Sequence, residues 1–226
     1  MKPDLSLVGI GLYTPAEAAR LIRVPVQTLQ RWLKGHRIGD REYRALWPLH
    51  GELEDGSTYL SFLDLVQARV ALALINAGLS SQKVRKAIDL GRTILSTDYP
   101  FASARFRTDG RTVVLQVLIP GEDDRLIDLF KDGQYLLKNV VEPSLRGLEF
   151  DKDLAVRWWP SGQEDRILID PRRQFGQPID AETGVPTSVL AAAVEAESSV
   201  ERAARVYRVP VAAVRRAVRF EKKLYA

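Results

Sequence analysis

The chain of 226 residues contains no cysteine, one methionine and only two histidines, His36 and His50. The missing thiols exclude a disulfide framework and a cysteine nucleophile, and two histidines alone are too few for an ordinary structural zinc site. No apolar run reaches the ~18 residues of a membrane helix, and the first residues lack the apolar core of an export signal. We therefore expect a cytoplasmic protein that needs no metal or cofactor and does not bind membranes.

Acidic residues that could support catalysis without cysteine or histidine are not arranged in a convincing spaced pattern. The densest acidic cluster, Glu122-Asp123-Asp124, follows Pro120-Gly121. A loop beside a proline-glycine turn often carries charge for solvation, so we interpret this cluster as solvated rather than metal-binding. We expect no catalytic residues and no enzymatic activity.

Positive charge is concentrated at the two ends of the chain, although the net charge is only +4. Residues 1–96 hold 13 basic and 9 acidic side chains, residues 97–165 hold 9 and 13, and residues 166–226 hold 11 and 7. Two basic ends around an acidic middle suit contact with phosphate groups, although a solvated helix face gives the same pattern.

A sixteen-residue sequence occurs twice without a gap, at residues 17–32 (EAARLIRVPVQTLQRW) and 202–217 (RAARVYRVPVAAVRRA). Eight positions are identical, including the alanine pair and the Arg-Val-Pro-Val step. Small alanines allow two helices to cross closely, and proline is well tolerated where a helix starts. The repeat therefore predicts two helix-turn-helix units.

The first copy carries side chains that can read DNA. Thr14-Pro15-Ala16-Glu17 predicts a capping box at the start of the first helix, and Val26, Leu29 and Leu33 fall on one face of the second. Arginine pairs with guanine and glutamine with adenine, whereas Trp32 is expected to pack inside. The candidate DNA contacts up to the end of this helix are Thr14, Gln27, Thr28, Gln30, Arg31 and Lys34.

Residues 35–60 predict a β-hairpin wing whose basic residues meet the DNA backbone. The candidate wing contacts are His36, Arg37, Arg41 and Arg44. A strongly apolar helix is predicted from Phe62 to Ala77, stopped by Gly78, and a second helix from Ser81.

These segments resemble the MerR-like winged-helix family over roughly residues 10–95. The resemblance is carried by Tyr13-Thr14-Pro15, Thr28-Leu29-Gln30-Arg31-Trp32, the wing, Tyr59–Leu65 and Asn76-Ala77-Gly78-Leu79-Ser80. It implies a winged-helix fold that acts as a homodimer on an inverted repeat of double-stranded DNA. Gln30 stands where the family commonly has arginine, so the base preference is not carried over.

The middle of the chain predicts a small β-rich region. Strands are expected at 104–107, 112–119, 126–130, 155–159 and 166–169, with turns at 108–110 and 131–133 and a short helix over 140–148 broken by Pro143. Neighbouring strand residues face opposite ways, so we expect one of Trp158 and Trp159 inside and the other partly covered, rather than both in a ligand site.

Residues 166–220 resemble a small helical domain family found in toxin-antitoxin operons. The motifs are Ile169-Asp170-Pro171, Phe175-Gly176-Gln177-Pro178 and Thr183-Gly184-Val185-Pro186. With the winged helix in front, the chain resembles the larger VapB-type antitoxins. That resemblance implies a cognate toxin, usually a PIN-domain ribonuclease.

The second copy of the repeat lacks the polar side chains of the first, because Ala212 and Ala213 replace Gln27 and Thr28. A capping box is predicted at Ser198 and Glu201. We favour a structural or protein-binding role, although phosphate contact stays open. The candidate toxin or phosphate contacts, expected to face outward, are Arg172, Arg173, Arg215, Arg216 and Arg219.

The sequence thus predicts an α+β protein with a winged-helix DNA-binding domain at 1–96, a β-rich region at 97–165 and a helical antitoxin-type domain at 166–226. The leading hypothesis is an antitoxin of a type II system that inhibits a ribonuclease toxin and represses its own operator. The alternative is an effector-responsive transcription factor without a toxin partner, whose acidic middle binds a small molecule.

Overall fold

The computed structural model describes residues 9–49, 57–118, 121, 125, 127 and 134–225. The chain forms two compact units. The N-terminal unit contains Thr14–Arg146 and Phe150–Ala155, and the C-terminal unit contains Met1–Tyr13, Gly147–Glu149 and Val156–Ala226. Helices and two small sheets are both present, as an α+β fold requires.

The helices are named in chain order. In the N-terminal unit they are α1 (Pro15–Ile22), α2 (Val26–Lys34), α3 (Phe62–Asn76), α4 (Ser81–Leu95), α5 (Phe106–Leu115), α6 (Gln134–Leu136) and α7 (Glu142–Leu145), with a π-helical turn at Leu137–Val141 and a 3₁₀ turn at Pro100–Ala102. In the C-terminal unit they are α8 (Thr187–Glu197), α9 (Val200–Tyr207) and α10 (Val211–Leu224), with 3₁₀ turns at Gln163–Asp165 and Gln174–Gly176.

The strands form a two-stranded and a four-stranded sheet. The first contains β1 (His36–Ile38) and β2 (Arg41–Tyr43), which pair antiparallel with His36 opposite Tyr43. The second has the order β3 (Leu148–Asp151), β4 (Leu154–Trp158), β5 (Ile167–Ile169) and β6 (Pro178–Asp180). Strands β4, β5 and β6 pair antiparallel, with Trp158 opposite Ile169 and Leu168 opposite Ile179.

The predicted start of α1 is confirmed, because Thr14 and Glu17 form a complete capping box. Helix α3 has a second one, in which Ser61 accepts from the amide of Asp64 and the Asp64 carboxylate accepts from the Ser61 amide. Both predicted helices after the wing are confirmed, at α3 and α4. Gly78 follows α3 with a positive φ of 108°, which ends the helix as its sequence predicts.

A buried hydrogen bond joins the end of the wing segment to α3. The indole Nε1 of Trp47 donates to Oδ1 of Asp64 at 2.8 Å, and both residues are 2% exposed. The other carboxylate oxygen, Oδ2, accepts from the amide and hydroxyl of Ser61. One aspartate therefore caps α3 and holds a tryptophan 17 residues earlier in the chain.

The strands predicted at 104–107 and 112–119 are wrong for the described residues, which form α5 up to Leu115. Phe106, Gly110, Val113 and Val114 are buried along one side of this helix, which packs on α4. Gly110 was interpreted as a turn residue, but it lies under the Phe106 ring, where an added Cβ would approach Cδ2 to 2.9 Å. Helical packing against the hydrophobic neighbours overrides the strand propensity of the valines.

The other predictions for the middle region have mixed outcomes. The acidic cluster at 122–124 and the turn at 131–133 lie outside the described residues, as do all but one residue of the strand predicted at 126–130. The helix near Pro143 is present as α7 with the π-helical turn before it, and the strands at 155–159 and 166–169 correspond to β4 and β5. Trp158 is buried and Trp159 is half-buried, as predicted.

The C-terminal unit is less purely helical than its sequence predicts, because β5 and β6 belong to it together with α8, α9 and α10. The three helices share one apolar core. The predicted capping box at Ser198 and Glu201 is wrong. Ser198 ends α8 with a left-handed φ of 51°, so the cap of α9 is Ser199, whose hydroxyl accepts from the Arg202 amide at 3.3 Å.

No helix among the described residues is both long enough and apolar enough to cross a membrane.

The Trp47–Asp64 bond predicts a specific loss of stability in the Trp47→Phe variant. This change removes the indole N–H donor and leaves the buried Oδ1 of Asp64 without that hydrogen bond. The unpaired oxygen lowers the free energy of unfolding by about 1–3 kcal/mol, in addition to the loss of packing from the smaller ring. We expect the free energy of unfolding, measured by urea denaturation with circular dichroism, to fall by that amount.

Trp32→Phe is the matched control, because Trp32 is also buried (6% exposed) and donates no hydrogen bond to a described residue. Equal losses of stability in the two variants would contradict a special role for the Trp47–Asp64 bond.

Candidate nucleic-acid and partner interfaces

The first copy of the repeat forms two helices, α1 and α2, joined by a tight turn beside its alanine pair. Ala18 and Ala19 are at most 1% exposed, and Leu29 and Leu33 of α2 are buried. After α1, Arg23 adopts a left-handed conformation (φ 58°, ψ 52°), and the amide of Val24 donates to the carbonyl of Ala19 at 2.9 Å. This tight turn satisfies the last carbonyls of α1 and directs the chain into α2.

Helix α2 presents a polar face to solvent. Gln27, Gln30, Arg31 and Lys34 are all exposed, whereas Thr28 is half-buried. Trp32 is buried, as its predicted packing role requires. Side chains of this kind on an exposed helix face can reach base edges in a major groove.

Thr14 is exposed, but its hydroxyl is already occupied in the cap of α1. It accepts from the Glu17 amide at 3.2 Å and donates to Oε2 of Glu17 at 2.8 Å. The oxygen can accept a second hydrogen bond but has no spare proton to donate to a phosphate. Its main effect is to fix the N-terminus of α1.

The wing is the short hairpin of β1 and β2, well inside the range 35–60 that the sequence predicts. His36 and Tyr43 stack across it with ring centroids 4.8 Å apart, so the half-buried His36 contributes to packing. Arg37 and Arg44 are exposed, and the side chain of Arg41 lies outside the described residues. Two basic side chains are thus available at the surface of this hairpin.

The wing is held by Gly35, which ends α2 as the sequence predicts, and by an arginine of α4 that the sequence alone did not single out. Gly35 has φ 73°, and an added Cβ would lie 2.4 Å from the carbonyl oxygen of Tyr43. Arg85 of α4 donates from Nε to the carbonyl of Ala45 at 2.7 Å and from its guanidinium to the carbonyl of Arg44. No local signal in the sequence identifies Arg85, because its acceptors lie about 40 residues away.

The second copy of the repeat reproduces the turn of the first. Arg208 is left-handed (φ 52°, ψ 44°), and the Val209 amide donates to the carbonyl of Ala204 at 3.0 Å. Ala203 and Ala204 are buried, and α10 starts directly after Pro210. The two copies are therefore equivalent in local backbone geometry.

The exposed faces of the two copies differ more than their sequences indicate. Ala213 is fully buried, although it was predicted to replace a base-reading side chain on the outer face. The expectation that Arg216 faces outward is also wrong, since its side chain is only 14% exposed. Arg215 and Arg219 are exposed, and Arg215 pairs with Glu201 at 3.1 Å on the surface.

Arg216 is the centre of a partly buried polar network between α10 and the β6 region, in which Asp180 is fully buried. Its guanidinium pairs with Oδ2 of Asp180 at 2.7 Å and with Oε2 of Glu182 at 3.0 Å. Oδ1 of Asp180 accepts from the amide and hydroxyl of Thr183, each at 3.0 Å. Burial lowers the pKa of Arg216, but the two carboxylates outweigh it and the pKa is raised. The positive charge of Arg216 is therefore neutralised by carboxylates of its own unit.

Arg172 and Arg173 are exposed in the loop after β5. Asp170 begins this loop and is 3% exposed; it accepts from Nε of Arg157 at 3.0 Å and from the Arg172 amide at 2.9 Å. The same ion pair raises the pKa of Arg157. The loop backbone is therefore anchored, while both arginine side chains are at the surface.

Among the described ranges, no three side chains of histidine, cysteine, aspartate or glutamate form a group that could hold a metal ion. The charged side chains among the exposed candidates are all positive instead. They suit contact with phosphate or with carboxylates.

No protein-family model matches the chain. A curated protein of Mycobacterium tuberculosis (strain ATCC 25618 / H37Rv) named "Putative antitoxin VapB45" is 29% identical over 214 residues, with 88% of each chain covered. The X-ray crystal structure of Rv2018 from Mycobacterium tuberculosis matches with a TM-score of 0.73 and 26% identity, covering 93% of this chain and 99% of that one. The similarity extends over nearly the whole chain and so covers residues of both units.

The buried network predicts unequal effects for two neighbouring arginines. Arg216→Ala leaves Asp180 buried without its counter-charge, and breaking a buried pair in this way costs about 3–5 kcal/mol. We expect amides of β6 and α10 to lose protection in hydrogen exchange and the unit to unfold at lower urea concentration.

Arg215→Ala is the control, since it removes the same charge from an exposed ion pair worth less than about 1 kcal/mol. If both variants were equally stable, the network around Asp180 would not hold the unit together.

Proposed function

We propose that this chain is a DNA-binding antitoxin of a type II toxin-antitoxin system. In this proposal the N-terminal unit recognises the operator of its own gene, and the C-terminal unit binds and inhibits a toxin. The exposed face of α2, with Gln27, Gln30, Arg31 and Lys34, is the observation that carries the DNA half. The similarity to the protein named as an antitoxin supports the toxin half.

The DNA half is a winged helix of the MerR-like type. Helix α2 enters the major groove, where Arg31 chelates guanine and Gln27 or Gln30 chelates adenine. The wing arginines Arg37 and Arg44 contact the flanking phosphates, a contact that positions the protein without reading sequence. A homodimer places two such helices on the two halves of an inverted repeat, about one helical turn apart.

The toxin half uses charge. A ribonuclease that holds its metal with clustered carboxylates, as PIN-domain enzymes do, is blocked when an arginine enters that cluster. Arg172, Arg173 and Arg219 are the exposed candidates that remain, because Arg216 pairs with Asp180 and Glu182 and Arg215 pairs with Glu201. Arg172 and Arg173 place two positive charges side by side on one loop. The antitoxin itself carries out no catalysis in this scheme and needs no cofactor.

This proposal keeps the functional division at 1–96, 97–165 and 166–226, although residues 97–146 fold in the same compact unit as the DNA-contact residues. The first binds DNA and the last binds toxin. The segment between them connects the two activities.

Arg31→Ala tests DNA recognition. A bidentate arginine contact discriminates by about 1–3 kcal/mol, so we expect roughly 5- to 150-fold weaker binding to the operator in a gel shift with the DNA upstream of the gene. Binding to unrelated DNA at the same salt concentration should fall much less, because there the arginine loses only a phosphate contact.

Lys138→Ala removes one exposed positive charge away from the helix-turn-helix and should leave operator binding unchanged. If Arg31→Ala and Lys138→Ala bind the operator equally well, α2 is not the reading helix.

Co-expression tests the antitoxin activity. The small protein encoded by an open reading frame adjoining this gene should arrest growth when expressed alone, and this chain should restore growth and copurify with it. The double variant Arg172→Ala, Arg173→Ala should fail to restore growth, while its operator gel shift is unchanged. No arrest and no complex would favour a transcription factor that responds to a small molecule.

A further inference from the structure

Phe175 projects into solvent from the loop between β5 and β6. It is 65% exposed, whereas the other phenylalanines of the C-terminal unit and its strands are buried or partly buried, among them Phe220 at 5%. Folding alone gives no benefit from exposing a large ring. An isolated apolar residue at the surface is common, so exposure alone does not mark Phe175 as a binding residue. The conformation of its loop does distinguish it.

The backbone of this loop is strained where it carries the ring. Gln174 has φ 48°, Phe175 has φ 54° and ψ 24°, and Gly176 has φ 83°. Each left-handed residue other than glycine costs about 1–2 kcal/mol, and here two precede the glycine. Strain of this kind persists only where the surroundings enforce it, and it concentrates at functional sites.

Several hydrogen bonds within the C-terminal unit hold the loop in this left-handed conformation. The Leu12 amide donates to the carbonyl of Phe175 at 2.9 Å, and the buried hydroxyl of Tyr13 donates to the carbonyl of Gly176 at 2.8 Å. An added Cβ on Gly176 would lie 2.3 Å from the Tyr13 hydroxyl oxygen. At the other end of the loop, the Asp170 carboxylate accepts from the backbone amide of Arg172 and from Nε of Arg157. The ring is therefore presented by a fixed backbone.

The charge around the ring has one sign. Residues 171–179 contain Arg172 and Arg173 and no acidic residue. Both arginines are exposed, and neither forms an ion pair with a carboxylate in the part of the chain that the structure describes. A partner that complements this loop would offer an apolar pocket for the Phe175 ring and carboxylates around the pocket for Arg172 and Arg173.

We propose that Phe175 is the anchor residue by which this chain binds its protein partner, the toxin, with Arg172 and Arg173 pairing with carboxylates at the rim of the partner's pocket. This inference rests on the proposed function, and it adds Phe175 as the residue that contributes most of the binding free energy for the toxin. Aromatic residues and arginines dominate the binding energy of protein interfaces, and a fixed loop loses little conformational entropy on binding.

A protein partner fits the loop better than a single-stranded nucleic acid. Nucleic-acid channels of that kind stack successive bases on several aromatic rings along a basic groove. The Phe175 turn carries one exposed ring, and the other exposed aromatic residues of the unit, Tyr207 and Tyr225, lie at the ends of α9 and α10 rather than on this loop. The nucleic-acid alternative remains an outcome of the experiment below.

The Phe175→Gly variant separates binding from folding. Glycine removes the ring and also relieves the left-handed strain, so we expect a thermal unfolding temperature equal to or above that of the wild type. Its Kd for the purified protein encoded by the adjoining open reading frame, measured by titration calorimetry, should rise at least about 30-fold, as for an interface hot spot. Phe175→Leu keeps an apolar side chain and should recover part of the loss.

Gln174→Gly is the matched control. It relieves the same strain at the preceding residue and keeps the ring, so its Kd should stay within about threefold of the wild type. Arg172→Glu with Arg173→Glu should weaken binding further as salt is lowered, because like charges then repel across the interface.

Three results would overturn the inference. Wild-type affinity in Phe175→Gly would show that the ring is not the anchor, while the antitoxin function would stand. A weaker gel shift of this variant with single-stranded or operator DNA, with the protein complex unchanged, would assign the ring to nucleic acid. If the wild-type chain itself did not bind the neighbouring protein, both this inference and the proposed function would fail.

Discussion

The two halves of this protein depend on the same local constraint, a left-handed arginine after a short helix with two buried alanines. At Arg23 and again at Arg208 the chain accepts a conformation that costs about 1–2 kcal/mol for a residue with a Cβ. This conformation closes a tight turn that satisfies the last carbonyls of the helix and brings the next helix across the alanine pair. The candidate DNA-reading helix α2 and its counterpart α10 each follow one of these two turns directly.

The same turn supports different surfaces because the second helix is packed differently in each unit. In α2 the face opposite Leu29 is left free, with Gln30 and Arg31 in solvent. In α10 part of the corresponding surface is covered, since Ala213 is buried and Arg216 pairs with Asp180. A duplicated sequence therefore need not give a duplicated activity. The neighbours of each copy decide which side chains remain available to a partner.

Local signals predicted the elements whose stability is local. The capping box at Thr14, the apolar helix from Phe62 and the hairpin after Gly35 each depend on residues within a few positions of one another. The strand predicted over 112–119 failed because its valines are buried by α4 and by Phe106 in a helical arrangement. Strand propensity measures how well a side chain packs on a sheet, and here the valines pack in a helix against α4 instead.

By itself the sequence determined the repeat, the starts of the early helices and the polar character of the α2 face, because periodicity and caps act over one or two turns of chain. Only the tertiary structure decided that Arg216 pairs with a buried aspartate 36 residues earlier, that Arg85 holds the wing and that Phe175 is exposed on a strained loop. Those facts depend on contacts between residues far apart in sequence, and the free energy of such contacts is set by burial and charge in the folded unit.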